Sequence, residues 1–288
     1  MIQKIQKDIY LKVKDYSVSG ETFNLIYNPE SDILETYPKP SLEKLPDYYK
    51  SDNYISHTDT RRNFFEKAYH LVRKRSLNKK LKLINSLATE EKNLLDIGCG
   101  TGDFLNICND NGWNVLGIEP NENARSIANS KVKDAVFNLE KLIQLETASF
   151  NVITLWRVLE HLPDLDNQIS IFKKLLKPDG VLIIAVPNYK SYDAQYYKEF
   201  WAAYDVPRHL WHFSRTSIAR LVSKENMSVE NITPMWFDAF YVSLLSEKYR
   251  SGKMNIFKAF FIGCLSNIKT LKTGEASSLI YIVKTTKN

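Results

Sequence analysis

From residue 93 onward, short unbroken apolar runs alternate with stretches whose apolar residues recur at helical spacing. Leu94 to Ile97, Val115 to Ile118, Ala135 to Phe137, Phe150 to Trp156 and Val181 to Val186 are runs of the first kind, with lengths that suit buried strands. Between them, Phe104, Leu105 and Cys108, then Ala124, Ile127 and Ala128, then Leu165, Ile169, Phe172 and Leu176 mark the inward faces of three helices. Strands that are apolar throughout and separated by helices predict a parallel sheet covered on both faces, an α/β doubly wound arrangement. Val229 to Ile232 and Leu279 to Val283 supply a sixth and a seventh strand.

The flanks read differently. Phe64 to Leu87 has helical periodicity and holds the densest basic cluster of the chain, Arg73 to Lys82, which as a solvated helix face needs no ligand. Residues 1–60 show little periodicity. Tyr10 to Val13 and Thr22 to Tyr27 predict short strands, and Tyr37 to Pro40 and Pro46 predict extended or turn structure. The expected organisation is an N-terminal arm or lid, 1–60, and a main domain, 61–288. The latter comprises a helical lead-in 61–90, a core 91–188 and aromatic insertions 189–214 and 235–276. In the arm, Tyr48, Tyr49, Tyr54 and His57 form an aromatic segment able to close over a site and exclude water.

Composition narrows the class only a little. At 288 residues, 44% hydrophobic and 25% charged, with a formal charge of +6, the chain reads as an ordinary globular protein. Its Lys and Arg are scattered, which disfavours a nucleic-acid partner. The three cysteines form no C-x-x-C pair and no apolar run reaches membrane-span length. A reducing, cytoplasmic setting with no structural metal is expected.

The chemistry concentrates where the first strand ends. Gly98, Gly100 and Gly102 strip side chains from the turn between strand and helix, so a ligand can approach the backbone. The dinucleotide spacing G-x-G-x-x-G is broken, because Asp103 stands where its third glycine belongs. Asp96 and Asp103 flank the turn and suit a cationic ligand better than a pyrophosphate. Glu119, followed by Pro120, ends the second strand, where a carboxylate takes ribose hydroxyls.

LLDIGCGTGDFL at 94–105 resembles motif I of the class I S-adenosylmethionine-dependent methyltransferases, and FNVITLWRVLEHLPD at 150–164 resembles the segment around that family's fourth strand. The resemblance implies S-adenosylmethionine as cofactor and S-adenosylhomocysteine as product. It also implies a seven-stranded order 3-2-1-4-5-7-6, with adenine held near Asn138 and Leu139. The expected cofactor set is Asp96, Gly98, Cys99, Gly100, Gly102, Phe104, Glu119, Pro120, Asn138, Leu139, Trp156 and Arg157.

Within the insertions, His209 and His212 are the candidate bases for an acceptor that must lose a proton, and both could equally bond backbone carbonyls. Arg208 would clamp an acidic substrate group. Tyr49, Tyr54, His57, Tyr197 and Trp201 would line or cover an apolar substrate pocket. The aromatic insertions would also serve as a homodimer surface, and NIFKAFFIGCL at 255–265 is amphipathic enough to touch a membrane. The resemblance points to a small-molecule or lipid-like acceptor methylated at oxygen. Still open beside it are an RNA methyltransferase using the Arg73–Lys82 cluster, a nicotinamide oxidoreductase, and a non-catalytic cofactor-binding module.

Overall fold

The structure, a computed structural model, describes residues 8–41, 43–49, 64–87 and 91–286. In chain order the elements begin with β1 (Ile9–Lys14), β2 (Thr22–Asn28), β3 (Ile33–Tyr37), α1 (Phe64–Leu87), β4 (Asn93–Ile97), α2 (Asp103–Asn109), β5 (Asn114–Ile118), α3 (Glu122–Val132) and β6 (Val136–Phe137). They continue with β7 (Phe150–Trp156), α4 (Leu165–Leu175), β8 (Leu176–Pro187), α5 (Tyr192–Tyr197), β9 (Trp211–His212) and α6 (Arg215–Ser223). The chain ends with β10 (Met227–Pro234), α7 (Asp238–Ser251), α8 (Ile256–Thr273) and β11 (Ser278–Thr285).

Seven strands form the main sheet in the order β6-β5-β4-β7-β8-β11-β10. The first five run parallel, and β11 is antiparallel to both of its neighbours. This is the expected seven-stranded order. Alternate residues of each strand feed two separate cores. Leu95, Ile97, Ile153 and Leu155 pack with Ile169 and Phe172 of α4 and Leu221 of α6. Leu94, Val152 and Val181 pack with Ile84 of α1 and Leu105 and Cys108 of α2. A strand apolar on both faces therefore requires helices on both sides, and the loops beyond the strand C-termini are left to form a site.

The N-terminal residues form a second sheet. β1, β2 and β3 pair antiparallel, and β9 from the first insertion adds to β3. Ser214 caps α6 immediately afterwards, its hydroxyl accepting from the Ser217 N–H. Only the first two strands of this sheet follow from sequence, because β3 and β9 are short and are completed by each other.

The aromatic insertion is the core under that sheet. Val13, Phe23, Leu25 and Leu34 pack against Tyr189, Tyr197, Trp201, Tyr204 and Val206. The expectation that Tyr197, Trp201 and Arg208 contact substrate gives way here. Tyr197 and Trp201 are buried, and the Trp201 indole donates to Asp193 at 2.7 Å. Arg208 is buried as well. It donates to Asp15 at 3.0 Å, to Asp205 at 2.7 Å and to the Tyr48 carbonyl at 2.9 Å. Burial pushes the Asp15 carboxyl up, but the Ser19 N–H and Arg208 outweigh it and hold the group below its ordinary range. A guanidinium so enclosed and so paired ties the turn after β1 to the insertion and is spent on structure. Arg208→Ala leaves Asp15 buried without its cation. The expected loss is about 3–5 kcal/mol of unfolding free energy, read from chemical denaturation.

Candidate active site

The turn after β4 is shaped by what each glycine must avoid. Gly98, Gly100 and Gly102 all have positive φ, at 65°, 55° and 77°. A Cβ on Gly98 would lie 2.5 Å from Val158 of the loop after β7, and one on Gly102 would lie 2.8 Å from Ala128 of α3. Those two glycines let neighbouring elements close in. Gly100 alone faces open space, with nothing within 4 Å of a Cβ, so its backbone is the part offered to a ligand. Its N–H donates to Glu119 Oε2 at 2.9 Å, and the Asn121 N–H donates to Oε1 at 2.9 Å. Glu119 thus fixes the open turn to the end of β5. Cys99 points the other way. Its sulfur packs over Gly117 in the core, its N–H donates to the Ile118 carbonyl, and only its backbone can border the site.

Asp96 ends β4 fully enclosed. It accepts from the Thr154 hydroxyl at 2.6 Å, and burial pushes its carboxyl up to about 7, with Lys80 pulling the other way. Lys80 reaches in from α1 and holds its ammonium 4.3 Å from the Trp156 ring centroid and 5.7 Å from that of Phe104. Burial brings the Lys80 ammonium down to about 8. Phe104 and Trp156 meet edge to face at 5.6 Å. Asp103, expected to give the turn negative character, is instead neutralised by Arg73 and by Lys131 at 2.8 Å. Three basic residues of α1 take part in these contacts: Arg73 on Asp103, Lys79 over the Phe237 ring, and Lys80 beside Asp96.

Beyond β7 the chain turns at Arg157, whose φ of 59° is uncommon for a side chain of that size. Its guanidinium pairs with Asp238 of α7 and donates to the Ser278 hydroxyl at 2.9 Å. Arg157 therefore anchors α7 and β11 to this loop, a different task from the cofactor contact expected of it. Glu160 follows, buried, and neither carboxylate oxygen meets a hydrogen-bond partner in another residue among those described. Burial raises its pKa to about 7.

The three nearby imidazoles divide by their partners. His212 Nε2 lies 3.1 Å from the Thr36 hydroxyl, which itself donates to the His209 carbonyl, so His212 carries its proton on Nε2. Burial brings its pKa down to about 3, which leaves it a weak base. His209 is buried with Nδ1 2.9 Å from the Ala203 carbonyl, and burial holds its pKa well below the usual value. His161 is only partly buried. Its Nδ1 lies 3.0 Å from the Arg208 carbonyl, which can only accept, so the proton sits there and Nε2 keeps a lone pair. The Tyr49 hydroxyl lies 3.1 Å from the same nitrogen. Glu160, His161 and His209 each bring a ligand-type atom within 4.8 Å of the others. Spacing along the chain predicts no metal ligand set, whereas folding gathers this trio from two segments.

Asn138 and Leu139 follow β6 with Leu139 exposed at the sheet edge, and Pro120 is exposed beside Glu119. Tyr54 and His57 lie outside the described residues.

A family profile described as "Methyltransferase domain" matches residues 69–231. The chain belongs to this methyltransferase family. One curated relative, a ubiquinone biosynthesis O-methyltransferase of Actinobacillus pleuropneumoniae serotype 7, is 34% identical over 108 residues, covering 34% of this chain and 46% of the relative. The mitochondrial ubiquinone biosynthesis O-methyltransferase of Bos taurus is 28% identical over 163 residues, 51% of this chain and 44% of the relative. The chain spans about half the length of the curated relatives it matches. A solved magnesium protoporphyrin IX methyltransferase from Synechocystis PCC 6803, with bound SAH, shares the fold. Its TM-score is 0.56 at 14% identity, over 85% of this chain and 100% of that one.

In this methyltransferase-family chain Lys80 belongs to no motif, and Glu160, though inside the segment 150–164, is not singled out by it as a site residue. Lys80 had a signal nonetheless: it lies seven positions after Arg73, two helical turns on, beside the inward Leu81 and Ile84. Glu160→Gln tests what burying this carboxylate costs. A pKa raised from 4.5 to about 7 means that the folded chain binds the proton more tightly, so native stability falls as pH rises through that window. The variant should exceed the native chain by on the order of 1–3 kcal/mol near pH 8, the gap closing towards about pH 4, by denaturant unfolding at both values.

Proposed function

We propose that the chain is an S-adenosylmethionine-dependent methyltransferase that methylates a hydroxyl of a small, largely apolar acceptor. One observation carries the cofactor assignment: Gly100 presents bare backbone to open space while its N–H is clamped to the Glu119 carboxylate. A nucleoside approaching that turn would meet Glu119 at its ribose and Asn138 and Leu139 at its base. The methionine end has both an acid and a cation, Asp96 and Lys80, to meet its ammonium and carboxylate. S-adenosylmethionine supplies the methyl group on a sulfonium, so no metal or redox partner is needed for the transfer itself. The names of the curated relatives favour oxygen as the methylated atom.

The protein's own contribution is to hold the acceptor, keep water away and take one proton. His161 suits the last task better than His209 or His212. It is the accessible imidazole of the three, it keeps a free Nε2, and it follows β7 at the sheet edge where ligands of such folds sit. The nearby Glu160 and His209 favour a second use of the same atoms, in which a divalent cation held by the trio polarises the acceptor hydroxyl.

Binding is tested by titration calorimetry with S-adenosylhomocysteine. Glu119→Ala should weaken it at least about tenfold, since each charge-assisted hydrogen bond contributes roughly 1.5–3 kcal/mol; unchanged affinity would remove the ribose from this acid. Transfer is tested by following label from methyl-labelled cofactor into candidate phenols and quinols. Burial lowers the His161 pKa, so its base form persists below the ordinary 6.5. Rates should therefore climb with pH through a value under 6.5 and stay level above it, and His161→Asn should lower kcat with little change in cofactor affinity. A rate abolished by chelator and restored by a divalent ion would make His161 a ligand instead of a base.

A further inference from the structure

Helix α8 has its small residues inside and its large ones outside. Ala259, Gly263, Ser266 and Thr270 are buried, joined by Ile262. Close packing of α7 demands this, for a Cβ on Gly263 would lie 2.6 Å from the Phe240 ring. The opposite side carries Phe257, Phe260, Phe261, Cys264, Ile268 and Leu271. At helical spacing these six fall within an arc of roughly 100° that contains no polar residue. Their exposure is large: Phe257 89%, Phe260 62%, Phe261 60%, Ile268 57% and Leu271 74%. A surface helix ordinarily places charge on that side, and a contiguous apolar patch of this kind marks an interaction surface.

The charges around the stripe identify what it meets. Between residues 248 and 273 the charged side chains are Lys248, Arg250, Lys253, Lys258, Lys269 and Lys272, with no acid among them. All but Lys258 are exposed, and Lys258 is paired with the buried Glu247 at 3.3 Å. A two-fold contact between copies through this face would bring these cations against their own images. A surface that is anionic outside and apolar beneath accepts both the Phe side chains and the flanking lysines.

We propose that the outer face of α8 docks the protein onto an anionic lipid bilayer, lying in the interface without spanning it. No helix among the described residues is long and apolar enough to cross a membrane, so a surface mode is the one this stripe supports. The Arg157–Asp238 pair joins the partner helix α7 to the loop that carries Glu160 and His161. Docking stands apart from the methyl-transfer reading, since adsorption needs neither cofactor nor acceptor.

The test is co-sedimentation of the full chain with vesicles of phosphatidylcholine alone, or of equal parts phosphatidylcholine and phosphatidylglycerol. The native chain should pellet with the anionic vesicles and release as salt rises. Phe257→Ser combined with Phe261→Ser should reduce that partitioning about tenfold or more without lowering the melting temperature, because both residues are already in solvent. Lys253→Gln combined with Lys272→Gln should weaken binding to anionic vesicles and abolish its preference over neutral ones. A native chain that stays in the supernatant overturns the proposal, as does a serine variant that pellets equally well. A concentration-dependent dimer in sedimentation velocity, dissolved by the serine variant and unaccompanied by vesicle binding, would assign the face to a second copy.

Discussion

A carboxylate buried at the end of a core strand needs donors or a cation, and Asp96 imposes that need on everything around it. β4 places it at the sheet's C-terminal edge, where it has left water and pKa pressure favours the neutral form. Thr154 on the adjacent strand supplies one donor. The compensating charge arrives from α1, which must lie across α2 for Lys80 to reach between Trp156 and Phe104. The lead-in helix is thus part of the site. Its Arg73 also meets Asp103, so the turn that looks acidic along the chain is electrically balanced once folded. A ligand bearing both an ammonium and a carboxylate suits such a mixed site better than a purely anionic or purely cationic one.

The same principle organises the second layer. Asp15 and Arg208 are buried together, and each is tolerable only because the other is there. One comes from the turn after β1 and the other from the insertion after β8, so the pair requires the N-terminal sheet to seat on the aromatic insertion. β9 then completes β3, which would otherwise present an unpaired edge. The aromatic residues of 197–204 become core, and Tyr49 of the N-terminal segment meets His161 of the loop after β7.

Legibility in the sequence follows from how local each constraint is. The parallel strands and the glycine turn are visible because their signals lie within about ten residues: unbroken apolar runs, and glycines where a Cβ would strike Val158 or Ala128. α1 reads from its periodicity over Phe64–Leu87. The partners of charged groups are invisible for the opposite reason. Nothing near Arg208 in sequence announces Asp15, and nothing near Asp103 announces Arg73. His209 and His212 attract attention as a pair in a polar insertion. Their burial is decided by Thr36 and the Ala203 carbonyl, which only the folded chain brings to them. Composition likewise identifies Tyr197 and Trp201 as aromatic without saying whether they face a ligand or a sheet.

Two features run against the ordinary rules of burial. Glu160 is a buried carboxylate without a bonded partner in another residue among those described, and α8 turns an aromatic stripe outward. Each keeps a group in a state that folding alone disfavours, which is how sites of action are distinguished from sites of packing. Arg157, beside Glu160, pairs with Asp238 of α7, the helix against which α8 packs.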